Sequence, residues 1–548
     1  MKIKLFVSFA AFVAASALMC SCSNEESADS NNNSNSNGQL TAFTGGIVTE
    51  APMERMQLST PEISTEVPGF LTRTSMNRNA LRDQGAFLWE PNDVIYVKDD
   101  NGKLYKSQST INGAAARATF LLDGSYTANQ YDVYYCGTNS GAGEKKVVIA
   151  SNQTQVDFNN TKHFGAAGDC GVAKAKKTTV AGESGYRFEL AHKASYLCFL
   201  PYMAPQWDRA NLKLKSIEIT SDNNIAGTYD LTQTGLSATG TNESKTITLN
   251  VGTDGNGLKL ADQATATKSI KNSLYVVIAP GTHALKVKYT VLDAMNKVAT
   301  ITKSYKSHTF GANKICDIPV DLSVRHYSGR NYYMWDAKEN YWSGHEWDSA
   351  TPWQPIEKRK RNNNYPKSKA ADASRWYHEG EGSFEASVNP LFKKLPNANE
   401  MAWYVKMGDA HWDDTTLWEV FGQLHTGGIW LKKLSVIAQE NDKELADLKL
   451  KDPKGNDLRV SSSEYNNYEA SAKSGKPADS EIDNYFFLPA LGNYMHTLRD
   501  LGNEGHYWSS SADPNSSSHA YGLGFERDGV GMSNLCSRRL GVVAQPFE

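Results

Sequence analysis

Two short runs offer metal-ligating side chains, and neither has the spacing of a metal site. His345-Glu346-Trp347-Asp348-Ser349 opens like a zinc-binding helix but lacks the second histidine one helical turn on. His411-Trp412-Asp413-Asp414 supplies an imidazole and two carboxylates, yet a lone run of this kind is more often a packed, hydrogen-bonded corner than a ligand set. There is no Gly-x-Ser-x-Gly elbow and no phosphate-binding loop. The glycines at 522, 524, 529 and 531 fit strand and turn positions. Beyond residue 22 the cysteines are Cys136, Cys170, Cys198, Cys316 and Cys536, scattered and without a Cys-x-x-Cys pair, so neither a disulfide scaffold nor a zinc site is expected. No catalytic residue, metal or cofactor is expected, and the chain does not read as an enzyme. What remains is aromatic. Trp and Tyr rings stack on sugar faces and dominate protein interfaces. Most of the tryptophans read as core, but Trp347 and Trp353 are flanked by charged residues and prolines and are the candidate ligand contacts.

Charge narrows the partners further. A net charge of −3 over 548 residues carries no basic stripe, so nucleic acid is not an expected partner. The dense run Lys358-Arg359-Lys360-Arg361 lies among Pro and Asn and reads as a solvated loop. The N-terminus has its own chemistry. Lys2 and Lys4 precede an apolar run over residues 5–18, which is too short for a membrane span and suits a signal sequence. It ends in Met19-Cys20-Ser21-Cys22. This resembles the bacterial lipobox, which implies removal of residues 1–21 and acylation of the Cys22 thiol, with Cys20 the second choice. Ser23-Asn24-Glu25-Glu26 resembles the export signal of Bacteroidetes surface lipoproteins, which implies a lipid anchor in the outer membrane with the chain facing out. Residues 22–40, rich in Asn and Ser, cannot bury enough surface to order themselves and read as a tether.

Beyond the tether the chain reads as strands. Val94-Ile95-Tyr96-Val97 and Lys103-Leu104-Tyr105 flank Asp100-Asn101-Gly102, a hairpin signal. Residues 274–278 form a continuous apolar strand, and Pro280-Gly281-Thr282 turns the chain. Leu285, Val287, Tyr289 and Val291 then alternate with polar residues, a period of two. A Lys, Thr, Gly and Ser shift over residues 174–185 reads as a boundary, with residues 186–190 opening a second domain. The expectation is two β-sandwiches, residues 41–184 and 185–322.

Ala42-Phe43-Thr44-Gly45-Gly46-Ile47, Thr72-Arg73-Thr74-Ser75 and the segment 87–97 resemble the start of fimbrillin-family (type V pilin) proteins. Residues 188–197 resemble that family's second domain. The resemblance implies two transthyretin-like sandwiches and trimming after an arginine, Arg73 first and Arg55 second. Trimming would free a groove that another fimbrial subunit fills with a donor strand.

After residue 322 the texture changes. Residues 355–383 read as a long polar loop. Asn397 with Glu400 three residues on fits a helix capping box, and residues 417–424 read as a second helix or a turn. Gly505-His506-Tyr507-Trp508-Ser509-Ser510-Ser511, residues 520–525 and residues 529–532 strongly resemble the Fibrobacter succinogenes major paralogous domain, which implies an α+β C-type-lectin-like fold over residues 323–548. The Glu-Pro-Asn and Trp-Asn-Asp motifs with which calcium-dependent lectins hold calcium and sugar are absent from this stretch. The sequence as a whole therefore reads as mainly β and as a tip or accessory fimbrial adhesin, with a glycan or protein ligand on its last domain. The alternative is a stand-alone surface glycan-binding lipoprotein.

Overall fold

The computed structural model describes residues 40–547 apart from segments 47–63, 69–74, 79–84, 109, 140–144, 181–182, 204–211, 261–270, 381, 383 and 467–471. The chain is mainly β. Its first sheet runs, in spatial order, Leu104–Lys106, Tyr96–Lys98, Gln130–Tyr135, Gly171–Val180, Glu183–Phe188, Thr41–Gly46 and Arg117–Leu122. The expected hairpin is present, with Gly102 at φ +78° in its turn. Past Leu104–Lys106 the amide of Gln108 donates to the carbonyl of Leu121, so the sheet curls until its two ends meet. Inside the curl Trp89 packs edge-on against Phe120, Tyr135 and Phe188.

Sequence places the opening strand of the second sandwich at residues 186–190. The strand there, Glu183–Phe188, pairs instead with Gly171–Val180 and with Thr41–Gly46, inside the first sheet. The Lys-rich stretch before it is the outer face of a hairpin: Lys174, Lys176 and Lys177 are exposed while Ala173 and Ala175 are buried.

Two further sheets face each other. One runs Asn152–Gln155, Thr246–Val251, Lys213–Ser221, Gly281–Leu292, Val298–Phe310; the other runs Ser64–Pro68, Lys314–Asp321, Ser195–Tyr202, Leu274–Ile278. Leu285, Val287, Tyr289 and Val291 all point inward, as their period predicts, and share one core with Leu197, Phe199, Val276 and Ile318 from the opposite sheet. Two buried glutamines stitch one corner. The Gln153 amide exchanges hydrogen bonds with both main-chain groups of Val277, at 2.7 and 3.0 Å. Gln155 takes the amide of Tyr275 at 2.7 Å and donates to Ser273 at 3.0 Å. Side-chain amides thus do the work of a missing strand ladder.

The residues after 322 form helices and short sheets. The helix Ala398–Met407 begins with the expected capping box between Asn397 and Glu400. Residues 417–424 contain strands, not a helix. Trp418–Val420 and Gln423–His425 pair across Phe421 and Gly422, both at positive φ (+59° and +72°), the two-residue turn that strand twist favours. This hairpin docks on the sandwich. The Leu424 amide donates to Asp293 at 2.9 Å and its carbonyl accepts from Lys297. Its side chain is fully buried in the sandwich core. Alongside, Arg325–Tyr327 runs parallel to Trp418–Val420, and His326 meets the buried carboxylate of Glu419.

Truncating Leu424 removes a plug and leaves a cavity. The Leu424→Ala chain should lose about 2–5 kcal/mol in urea unfolding. A loss under about 0.5 kcal/mol, the ordinary scale of a surface change, would mean that the contact is incidental.

Candidate functional site

Thr41–Gly46 is the N-terminal strand among the described residues and lies inside the first sheet, not at an edge. It runs antiparallel to Arg117–Leu122, with Phe43 opposite Phe120, and parallel to Glu183–Phe188, with Phe43 opposite Tyr186. Phe43 is fully buried, stacks on Tyr186 at 4.7 Å and meets Tyr126 edge-on at 5.1 Å. Two residues on, Gly45 faces the same interior. A Cβ there would fall 2.7 Å from the Phe188 ring and 2.9 Å from Trp89. The seat therefore accepts a large flat side chain, then a position with none. Burying Phe43 is worth about 2–3 kcal/mol. The ladders on both sides must be refilled by any replacement.

The N-terminal site residues read from sequence, Cys22 and the arginines Arg73 and Arg55, lie outside the described residues. Thr41–Gly46 nonetheless precedes both arginines in the chain, so a cut after either would sever it from the rest of the first sheet.

Trp347 and Trp353 are half-buried, on one loop. The amide of Trp353 donates to the carbonyl of His345, and the Trp353 and His345 rings lie face to face, 11° from parallel. Trp347 packs edge-on against Phe421 and donates through Nε1 to the carbonyl of Ser328. Gln354 pins the loop: buried, it accepts from the amide of Trp347 and donates to Gly329 and to the Tyr494 hydroxyl. Trp335, Trp342, Trp376, Trp403, Trp412, Trp418 and Trp508 are buried. Trp430 shares the partial exposure of the two candidates, and the sequence reading passed over it. The alternation of Gly428–Lys432 held the signal, since Ile429 and Leu431 face in and Trp430 faces out.

The His411-Trp412-Asp413-Asp414 run is a hydrogen-bonded corner. The Asp413 carboxylate is fully buried and accepts from the amides of Thr415 and Thr416, both their hydroxyls, and Trp430 Nε1. Five donors occupy its lone pairs and leave no room for a cation. Burial alone would raise the carboxyl, but the hydroxyls of Thr415 and Thr416 and the Trp430 N–H outweigh it and hold the group at about 2. Among the described residues no group of three His, Cys, Asp or Glu side chains is placed to hold a metal.

No protein-family profile matches the chain, and no curated protein matches it. Among solved structures it is similar to a Bacteroides ovatus "putative cell adhesion protein" at 11% identity and a TM-score of 0.30, over 52% of this chain and 93% of that one. A protein of the same description from Bacteroides uniformis aligns at 18% identity and a TM-score of 0.27, over 43% of this chain and 88% of that one. A Bacteroides ovatus fimbrial protein aligns at 8% identity and a TM-score of 0.21, over 86% of this chain and 97% of that one.

Asp413 supplies a pH test of the corner. Its folded-state value lies below the ordinary carboxylate value of 3.8, so its contribution is complete above pH 4 and fades as pH falls toward 2. Asp413→Asn should cost about 2 kcal/mol at pH 7, and the difference should shrink as urea unfolding is repeated down to pH 2. A difference independent of pH would assign the cost to packing alone.

Proposed function

We propose that this protein is a surface-anchored fimbrial adhesin, a tip or accessory subunit, whose first strand holds a seat that another subunit's strand takes over. The placement of Thr41–Gly46 carries the reading. A strand at the start of the described chain, flanked on both sides by ladders and upstream of two arginines, is the geometry that a cut and a strand exchange require. Cys22 anchors the chain before trimming, and a cut after Arg73 separates the rest of the chain from that anchor.

The C-terminal body, residues 323–548, supplies the binding surface, in a C-type-lectin-like arrangement. Residues 542–547 are part of this body. Val542–Val543 pairs with Tyr332–Tyr333 and with Tyr507, while Ala544 and Phe547 are buried. These residues are held inside the body and are not offered as a donor strand. The two sandwiches are best divided by their cores: residues between Phe43 and Leu190 enclose one, and the second gathers Tyr134, Cys136 and residues from Val147 to Val324, with Ser64–Pro68 at the edge of one of its sheets.

The chain's own strand is the natural probe. After arginine-specific cleavage at Arg73 and removal of the released segment, the chain should bind a labelled peptide of residues 40–46 with saturable anisotropy. A Phe43→Ala peptide should bind roughly tenfold or more weakly, and a Gly45→Val peptide should fail to bind. If the cleaved chain ignores the peptide and forms no detergent-resistant ladder with fimbrial subunits, the stand-alone glycan-binding reading takes its place.

A further inference from the structure

The loop that carries Trp353 continues into Lys358-Arg359-Lys360-Arg361. By sequence this run is a solvated loop; in the structure it lies against another segment. Lys358 bridges to Leu498 and Arg361 to Thr497, so the run borders the hairpin of Asn493–Met495 and Thr497–Arg499, and Arg499 joins the same strip. At the hairpin's turn the His496 ring lies 4.0 Å from the ring of Tyr365, and Lys367 Nζ sits 5.3 Å from that ring.

Two of the cations are already neutralised. Lys358 pairs with Asp500 at 2.9 Å and Lys360 with Glu357 at 2.8 Å. Arg359, Arg361 and Arg499 are exposed, and among the described residues no carboxylate pairs with them. The proximity of Arg361 and Arg499 registers on His496, whose imidazole is pushed down first by burial and then by these two guanidinium groups. Like charges gathered without a counter-charge repel one another, and a bound anion relieves that repulsion. Gln354 fixes the start of the strip, so little order must be imposed on binding.

Aromatic rings bracket the cations, with Trp353 before them and Tyr365 after them. Residues 353–359 span at most about 20 Å when extended, the reach of a few sugar rings. We infer that this strip binds an acidic polysaccharide, its carboxylate or sulfate groups at Arg359, Arg361 and Arg499 and its sugar faces against Trp353 and Tyr365. Guanidinium forks match such anions. An acidic peptide brings no flat sugar faces to the rings, and three exposed guanidinium groups with Lys367 are few for a nucleic acid at physiological salt. The inference rests on the reading of the C-terminal body as a binding surface.

Surface plasmon resonance of the full chain in detergent, with heparin oligosaccharide as the probe, tests it. Binding should saturate and weaken as salt rises. The variant Arg359→Ala/Arg361→Ala/Arg499→Ala should bind roughly tenfold or more weakly. Lys174→Ala/Lys176→Ala, which removes charge from the first sheet, should bind as the parent does. Trp353→Ala should weaken heparin binding and leave any binding of polyglutamate unchanged. The inference is overturned if heparin does not bind, if the triple variant keeps full affinity, or if polyglutamate or a single-stranded oligonucleotide binds as tightly as heparin. A thermal melt confirms that each variant is folded. The three arginines lie far along the chain from the Thr41–Gly46 seat, so strand exchange is scored separately on the same variants.

Discussion

An interior place in a sheet cannot stand empty. Successive residues there turn their N–H and C=O groups alternately to the strand on one side and the strand on the other, and stripping those bonds from a buried position costs more than most single contacts return. In this protein that constraint bears on the slot between Arg117–Leu122 and Glu183–Phe188. Thr41–Gly46 fills it, and the curl of the first sheet depends on it being filled: without a strand there, the Trp89 and Phe188 rings lose their cover. The slot demands a strand without demanding this strand, and that difference makes exchange physically reasonable. Selectivity then comes from side chains, from the flat pocket under Phe43 and the absence of room at Gly45.

At the other end, Leu424 ties the C-terminal body to the sandwich. One leucine bonds through its main-chain amide and carbonyl to Asp293 and Lys297, and lends its side chain to the sandwich core. The parallel pairing of Arg325–Tyr327 with Trp418–Val420 adds a ladder beside it. A body held by both hydrophobic burial and hydrogen bonds does not swivel freely on a linker.

Local signals were legible in the sequence where the neighbours of a residue in the chain decide its structure. The Asp100-Asn101-Gly102 hairpin, the alternation of residues 285–291 and the capping box at Asn397 depend on adjacent residues, and each is present. Partners distant in sequence were not legible. Glu183–Phe188 has the pattern of any half-buried strand, and its pattern cannot say that its neighbours are Thr41–Gly46 and Gly171–Val180. The apolar residues around Leu424 fit a helix as well as a hairpin until Phe421 is seen at positive φ, where a bulky residue is rarely found. The two glutamines, Gln153 and Gln155, look like surface polar residues and are buried, because their amides reach strands more than a hundred residues away. At the surface, the flanking charges pointed to Trp347 and Trp353. Strand alternation would have pointed to Trp430, and the meeting of Arg361 with Arg499 required the fold.

The central claim, that the first strand holds an exchangeable seat, is tested most directly by hydrogen–deuterium exchange on the slot's walls. The amides of residues 117–122 and 183–188 are to be followed in the intact chain, after cleavage at Arg73 with removal of the strand, and after a fimbrial partner is added. The account predicts slow exchange, then fast exchange in these two strands and in Lys314–Asp321, whose partner Ser64–Pro68 leaves with the same segment, then slow exchange of the two walls again. Walls that stay protected after the strand has gone, or that never regain protection with a partner, would contradict it.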